Sequence, residues 1–223
     1  MSEYIYKTPE GFNDILSEKC SSRLEVEGHI RYVFKGFGYS EVDTPTLEYY
    51  DLFSGRIGTL PQERMYKLFD SKGRILVLRP VMTVPIMRMA VTKIGDSALP
   101  ARFSYFGNIF RNDTKNLLSS EYRQGGIEIL GADTIAADAE VIAVAIKSLI
   151  NSGVADFRID IGQVKLFKAM TSGIEDEDIL EAIRQAVANK DKYTIEKLLE
   201  NTFSGFQPVL KALLPHQPLH RLQ

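Results

Sequence analysis

Between residues 101 and 111 the chain alternates with a period of two. Phe103, Tyr105, Ile109 and Arg111 fall on one face, and Phe106 and Phe110 on the other. A helix would scatter these side chains around its circumference, so the stretch reads as a strand. A polar loop over 112–121 separates it from a second strand around 126–131. There Gln124, Gly126 and Glu128 have the same parity and share one face.

The segments around this pair are read in the same way. Residues 8–11 (TPEG) make a turn. A helix is expected over 17–35, with Leu24, Ile30, Val33, Phe34 and Phe37 near helical spacing and Gly36 and Gly38 as its stop. Residues 40–45 form a short extended piece closed by Pro45. The aromatic stretch 47–53 reads as a helical turn or a packed crossover. Segments 65–69 and 75–78 flank Asp70-Ser-Lys-Gly73, a hairpin signal. Residues 138–151 are apolar nearly all round, the pattern of a buried helix, with N-cap candidates over 133–138 and Ser152-Gly153 as its stop. Phe157, Ile159 and Ile161 alternate with Arg158 and Asp160, which predicts another half-buried strand.

Beyond Gly162 only helices are expected, over 163–171, 175–189 and 193–202, followed by an irregular tail around 215–218. The second of these carries acids in its first turn, as the helix dipole favours. Strands followed by helices give an α+β fold: a core over 1–162 and a helical appendage over 163–223.

Bulk properties narrow the function. A chain of 223 residues buries roughly 70% of its unfolded surface, so its core needs no disulfide or metal staple. The single cysteine, Cys20, rules out an internal disulfide and suits a reducing compartment. The first residues lack the basic and apolar regions of a signal peptide. The most apolar stretch, 141–150, is interrupted by Lys147 and Ser148 and is far too short to span a bilayer. A cytoplasmic protein with no membrane partner is expected. The net charge of −2 and pI near 6.0 provide no global basic field, which weighs against a large RNA contact.

Among the histidines, His29 lies in a predicted helix, and His216 and His220 are separated by Pro218. None has metal-ligand spacing, so no metal and no cofactor is expected. No nucleophile elbow, P-loop or dinucleotide fingerprint is present, and Gly125-Gly126 precedes a strand rather than a helix. What remains is a polar constellation assigned to strand positions: Thr83, Arg111, Gln124 and Glu128. An arginine fork suits a carboxylate or phosphate, while Glu and Gln oxygens accept from an ammonium. Such a set fits an amino acid or a nucleotide; a purely structural polar network is the competing reading. Thr83 lies in RPVMTVPIMR (79–88), whose prolines, hydroxyl and arginines frame a ligand-binding turn.

Several stretches carry a family resemblance. Residues 38–45 (GYSEVDTP) with 46–53 (TLEYYDLF) resemble motif 1 of class II aminoacyl-tRNA synthetases. Residues 110–113 (FRND), the loop after them and 124–131 (QGGIEILG) resemble motif 2. Residues 79–83 stand where histidyl-tRNA synthetases carry Arg-Pro-Glu-Gly-Thr. The stretches 76–83 (LVLRPVMT), 122–128 (YRQGGIE) and 137–143 (ADAEVIA) are more similar to a paralogous family, the regulatory subunits of ATP phosphoribosyltransferase. The resemblance covers about residues 8–165 well and the helical tail weakly.

It implies a class II synthetase-like antiparallel sheet flanked by helices. It also implies a non-catalytic protein that binds no tRNA, assembles with the short catalytic subunit of the phosphoribosyltransferase at the first step of histidine biosynthesis, and transmits histidine feedback. By the same resemblance Thr83, Gln124 and Glu128 match residues that hold histidine in the synthetase. Arg111 matches the arginine that contacts the adenylate, and Asp113 falls where a glutamate recognises adenine. Val42, Thr44 and Pro45 match the motif 1 dimer interface.

Two departures from the synthetase pattern stand out. Val81 occupies the place of the glutamate that meets the substrate ammonium, and the 112–121 loop holds one lysine and no arginine. The histidine-specific arginine segment and motif 3 are absent from these 223 residues, so a C-terminally shortened chain without a complete adenylation site is expected. A fragment of a histidyl-tRNA synthetase and a free-standing amino-acid-binding module are the alternatives.

Overall fold

A computed structural model describes residues 4–54, 61–95, 98–112 and 119–162. Beyond these it describes 165, 167–168, 171–172, 174, 176–188 and 191–200. The chain divides into two compact units between Phe157 and Arg158, a few residues before the Gly162 boundary expected from the change in pattern.

The first unit is built on the predicted strand pair. Strand β5 (Ala101–Phe110) pairs antiparallel with β6 (Glu121–Leu130) from Ala101↔Leu130 to Phe110↔Glu121. A two-residue strand β1 (Ser40–Glu41) lies parallel to β5 on its other side, so the extended piece expected over 40–45 is a strand only at its start. A second small sheet has the order β2 (Leu47–Tyr49), β4 (Ile75–Leu78), β3 (Lys67–Phe69), all antiparallel. The 70–73 turn closes the β3–β4 hairpin, with Gly73 at φ 75° as such a turn requires. The aromatic stretch over 47–53 holds both β2 and a helical turn, α2 (Asp51–Ser54).

Helices cover both faces of the larger sheet. Helix α1 (Ser17–Gly36) and helix α4 (Ile135–Asn151) lie on one side, where Val33, Phe34, Tyr39 and Val144 form a core with Phe106, Ile127 and Ile129. Helix α3 (Thr83–Lys93) lies on the other, packing Met82, Ile86 and Ala90 against Phe103, Tyr105 and Ile109. The alternation of β5 thus feeds two cores. The hairpin sheet closes a third, made of Phe53, Met65, Val77 and Val84. Arg88 of α3 ties it to the buried Glu48 of β2 with an N–O distance of 2.6 Å.

Four expectations need correction. Thr83 is not on a strand: it begins α3. Pro85 sits in the first turn of that helix, where an amide proton has no intrahelical acceptor to lose. Gly125 and Gly126 lie inside β6 rather than before it. A Cβ on Gly126 would stand 2.4 Å from the Tyr105 hydroxyl, and one on Gly125 would stand 2.6 Å from the Phe106 ring. The two bare positions give aromatic rings from the neighbouring strand room to lie across the ladder. Helix α4 is not buried all round: Val144 is enclosed, but Ile135, Val141, Leu149 and Ile150 are exposed. Its N-cap is Thr134, whose hydroxyl accepts from the Ala137 amide at 3.2 Å. Residues 157–161 form no strand, and neither sheet of the described residues includes them.

The second unit contains helices α5 (Glu177–Ala188) and α6 (Lys192–Glu200), packed through Ile183, Ala186 and Ile195. Asp176 accepts from the amides of Asp178 and Ile179, and Asp191 from that of Thr194, so each helix starts on an aspartate cap. Of the helix expected over 163–171, Lys165, Phe167 and Lys168 are helical, Thr171 is a turn residue whose amide donates to Phe167 O at 3.0 Å, and the others lie outside the described residues.

One polar cluster fastens α4 to the sheet. Arg102 donates to both oxygens of Glu140 at 2.7 and 2.9 Å, and the Tyr39 hydroxyl donates to the same carboxylate at 2.8 Å. The Arg102 bonds, helped by Tyr39, hold the Glu140 carboxyl down to about 2, against an ordinary 4.5. A depressed carboxyl stabilises the fold above its unfolded value and loses that contribution as pH falls through the folded one. Acid titration of the unmodified chain against Glu140→Gln is therefore expected to show an advantage at pH 7 that disappears between pH 4.5 and about 2. Parallel curves over that window would remove this role.

Candidate functional site

The turn Pro80-Val81-Met82 leaves β4, enters α3 and crosses the β5–β6 face at Gly107. A Cβ on that glycine would lie 2.7 Å from the Arg79 guanidinium and 2.8 Å from the Met82 thioether. Arg79 is 5% exposed and pins the turn from below. Its Nε donates to the Asn108 carbonyl at 2.9 Å, and its Nη1 donates to the Thr44 carbonyl and, at 3.3 Å, to the Thr44 hydroxyl. Asp43 stands 3.4 Å from the same nitrogen. A planar fork with fixed donors can hold three chain segments together; a lysine could not.

Above this anchor the candidate residues converge. The Thr83 hydroxyl, at the first position of α3, donates to Glu128 Oε1 at 2.7 Å. Gln124 is on the same face of β6 as Glu128, and its Oε1 is buried with no hydrogen-bond partner. Arg111, just past the end of β5, donates through Nε to the Pro80 carbonyl at 3.0 Å, while its amide donates to Ser120 O. Thr83 and Glu128 are therefore in direct contact. Arg111 reaches the turn that carries Thr83, and Gln124 shares the face of β6 with Glu128, four residues along the strand.

Sequence reasoning missed Tyr105 as a member of this group, and it gave Arg79 as part of the framing of the turn without its anchoring contacts. Tyr105 pairs with Gly126 across the ladder, its ring and hydroxyl lying over that glycine, and Glu128 and Thr83 both act on its hydroxyl. Burial, then the neighbouring Glu128 charge, push its hydroxyl up to about 12, so at neutral pH it remains a protonated donor. The sequence signal was the glycine opposite it, a bare position that only the strand register reveals.

Burial also pushes the Glu128 carboxyl above its ordinary 4.5, and the Thr83 hydroxyl offsets this in part. A carboxylate held at a desolvation cost and, further along the same strand face, an unsatisfied amide oxygen are each acceptors suited to a cationic N–H donor. An ammonium group is the simplest such ligand. Val81 contributes no acid here: it packs against the Phe53, Met65, Val77 and Val84 cluster.

Of the dimer residues expected by resemblance, Thr44 is buried and held by Arg79, Val42 is half-buried against the α3-side core, and Pro45 is exposed. His29 is exposed on α1, whereas Asp113, Lys115, His216 and His220 lie outside the described residues. Among the described residues there is no group of three or more His, Cys, Asp or Glu able to hold a metal ion. No described helix is long and apolar enough to cross a membrane.

Comparison with known proteins gives this geometry a context. Residues 11–220 match the family model described as histidyl-tRNA synthetase. Proteins named ATP phosphoribosyltransferase regulatory subunit from Acetivibrio thermocellus and Ruminiclostridium cellulolyticum are 46% and 44% identical over 203 and 202 residues. These alignments cover 90% and 89% of this chain, and 48% of each relative. The chain thus spans about half the length of the curated relatives it matches. A Bacillus halodurans crystal structure, described as an ATP phosphoribosyltransferase regulatory subunit/histidyl-tRNA synthetase, superposes with a TM-score of 0.83 at 28% identity, over 96% of this chain and 55% of that one. A histidine–tRNA ligase subunit from Alicyclobacillus acidocaldarius shares the fold at 21% identity, with a TM-score of 0.77 over 92% of this chain and 59% of that one.

Proposed function

The chain belongs to the histidyl-tRNA synthetase family, and on that premise we propose that it serves as a non-catalytic regulatory subunit of ATP phosphoribosyltransferase, or as half of one. The shared name of the relatives at 44–46% identity supports this reading. The observation that carries it is Val81. A family member that activates histidine needs an acid beside Thr83 and Glu128, and here that position is apolar and packed into the hairpin core. Thr83, Gln124, Glu128 and Arg111 then form a pocket that senses histidine, with Glu128 and Gln124 taking its ammonium and Arg111 its carboxylate. The 42–45 segment, through Val42, Thr44 and Pro45, carries a homodimer contact. The partner is the short catalytic subunit, and tRNA plays no part.

The direct test is the rate of phosphoribosyl-ATP formation by a short catalytic subunit, with and without this chain, as histidine is varied. Activation that histidine reverses is the expected result. An unchanged rate, together with no complex in sedimentation, overturns the proposal. Histidine-dependent ATP–pyrophosphate exchange by the chain alone would instead identify a synthetase; none is expected.

A further inference from the structure

The opposite face of the sheet carries a second polar site that the reading above does not use. Between α1 and β6 lies an open cavity of about 410 Å³. Val26, Ile30 and the Phe106 ring form its apolar wall, and Arg23, Glu27 and Arg123 supply its charge.

Glu27 is 4% exposed and its carboxylate is fully engaged. Arg123 donates to both of its oxygens, at 2.8 and 3.0 Å, and Arg31 stands 3.3 Å from one of them. Those bonds, the Arg123 hydrogen bond foremost, lower its pKa despite burial. Arg31 continues to Glu41 at 3.0 Å and lies 4.2 Å from the centre of the Phe106 ring. Arg23 is the member left over. Its Nε is 3.9 Å from Glu27, beyond hydrogen-bond reach, and is buried with no hydrogen-bond partner, while its Nη2 meets only the Cys20 sulfur at 3.6 Å.

Around the cavity the guanidiniums of Arg23, Arg31 and Arg123 face the carboxylates of Glu27 and Glu41, and Asp43, 3.4 Å from Arg79, also acts on Arg123. The Arg23 guanidinium is the one left without a hydrogen-bonded carboxylate, beside an apolar wall and with a buried donor that lacks an acceptor. A buried donor of this kind calls for an oxygen, and a guanidinium edge matches a carboxylate. A dianionic phosphate would meet the Glu27 carboxylate and make no use of the apolar wall.

We propose that this cavity binds a small monocarboxylate with an aromatic or branched apolar body, its carboxylate on Arg23 and its body along Val26, Ile30 and Phe106. The site is separate from the Thr83–Glu128 pocket and does not depend on the function proposed above.

The chain contains no tryptophan, so the emission of indole-3-acetate can be followed without a protein indole background. Titrating the full chain with this probe is expected to give a saturable emission change that inorganic phosphate does not displace. Arg23→Gln removes one charge-assisted contact and is expected to weaken binding roughly 10- to 100-fold. Val26→Glu places a negative charge at the rim and is expected to abolish it. Both positions are partly or well exposed, so each variant should keep the parent melting temperature, which is measured alongside. No saturable change with the unmodified chain, or equal binding by folded Arg23→Gln, overturns the proposal. So does displacement by phosphate at equal concentration, which would indicate a general anion patch.

Discussion

Replacing Arg79 with alanine is expected to cost about 3–5 kcal/mol, the penalty typical of removing one partner from a buried charged contact. Two carbonyls, of Thr44 and Asn108, lose their donor, and each buried acceptor left bare costs about 1–3 kcal/mol. The space over Gly107 that the guanidinium fills becomes a void. For a chain of this size the loss corresponds to a fall in melting temperature of roughly 6–20 °C. Arg79→Lys keeps the charge but offers one nitrogen where the fork reaches two elements, so it should recover only about half of the loss. Urea denaturation of the three proteins decides the matter. A loss below about 1 kcal/mol for alanine, the scale of an exposed ion pair, would mean that Arg79 is not the anchor of the turn.

The second large effect concerns Glu128 and has two parts of opposite sign. Its carboxyl is pushed above the ordinary 4.5 by burial. A group shifted upward contributes its stability fully below the unfolded value and loses it as pH rises through the folded one. At neutral pH the empty site therefore carries a penalised charge. Glu128→Gln is expected to raise the melting temperature of the chain above pH 4.5, and not below it. The same change removes the carboxylate proposed to meet an ammonium. Deleting one partner of a buried charged hydrogen bond costs about 2–5 kcal/mol, or roughly 30- to several-thousand-fold in affinity. Thermal stabilisation by histidine should therefore vanish in Glu128→Gln although the empty protein is more stable. A variant that keeps its response to histidine would move the ligand elsewhere. One that is simply less stable would make Glu128 a structural residue.

Local pattern carried much of the fold. Period-two alternation and the Gly73 turn were enough for β5 and the hairpin, because both are decided by residues a few positions apart. Helix α3 was hidden because Pro80 and Pro85 read as turn formers, and only the position of Pro85 in the first turn makes it compatible with a helix. The 157–161 stretch alternates as a strand does, but alternation describes a face and supplies no partner. The exposed side of α4 was misjudged for a related reason, since apolar spacing does not say what covers each face. The candidate site divides along the same line. The parity of Gln124 and Glu128 is local and readable. The seating of Arg79 on Thr44 and Asn108, and of Tyr105 over Gly126, depends on strand register and on contacts roughly 20–35 residues apart in the chain.

The short parallel pair between β1 and β5 has a kinetic meaning. Ser40 meets Phe103 and Glu41 meets Ser104, so the hairpin sheet, Arg79 and all of α3 lie on a loop of roughly 60 residues, whose closure costs roughly 3.7 kcal/mol of chain entropy before any contact repays it. Antiparallel β5–β6 needs no such detour and is free to form first. Strand β1 then docks late, and the pocket at Thr83 is assembled only when that loop has closed. The proposed histidine binding should accordingly emerge during refolding later than the β5–β6 ladder.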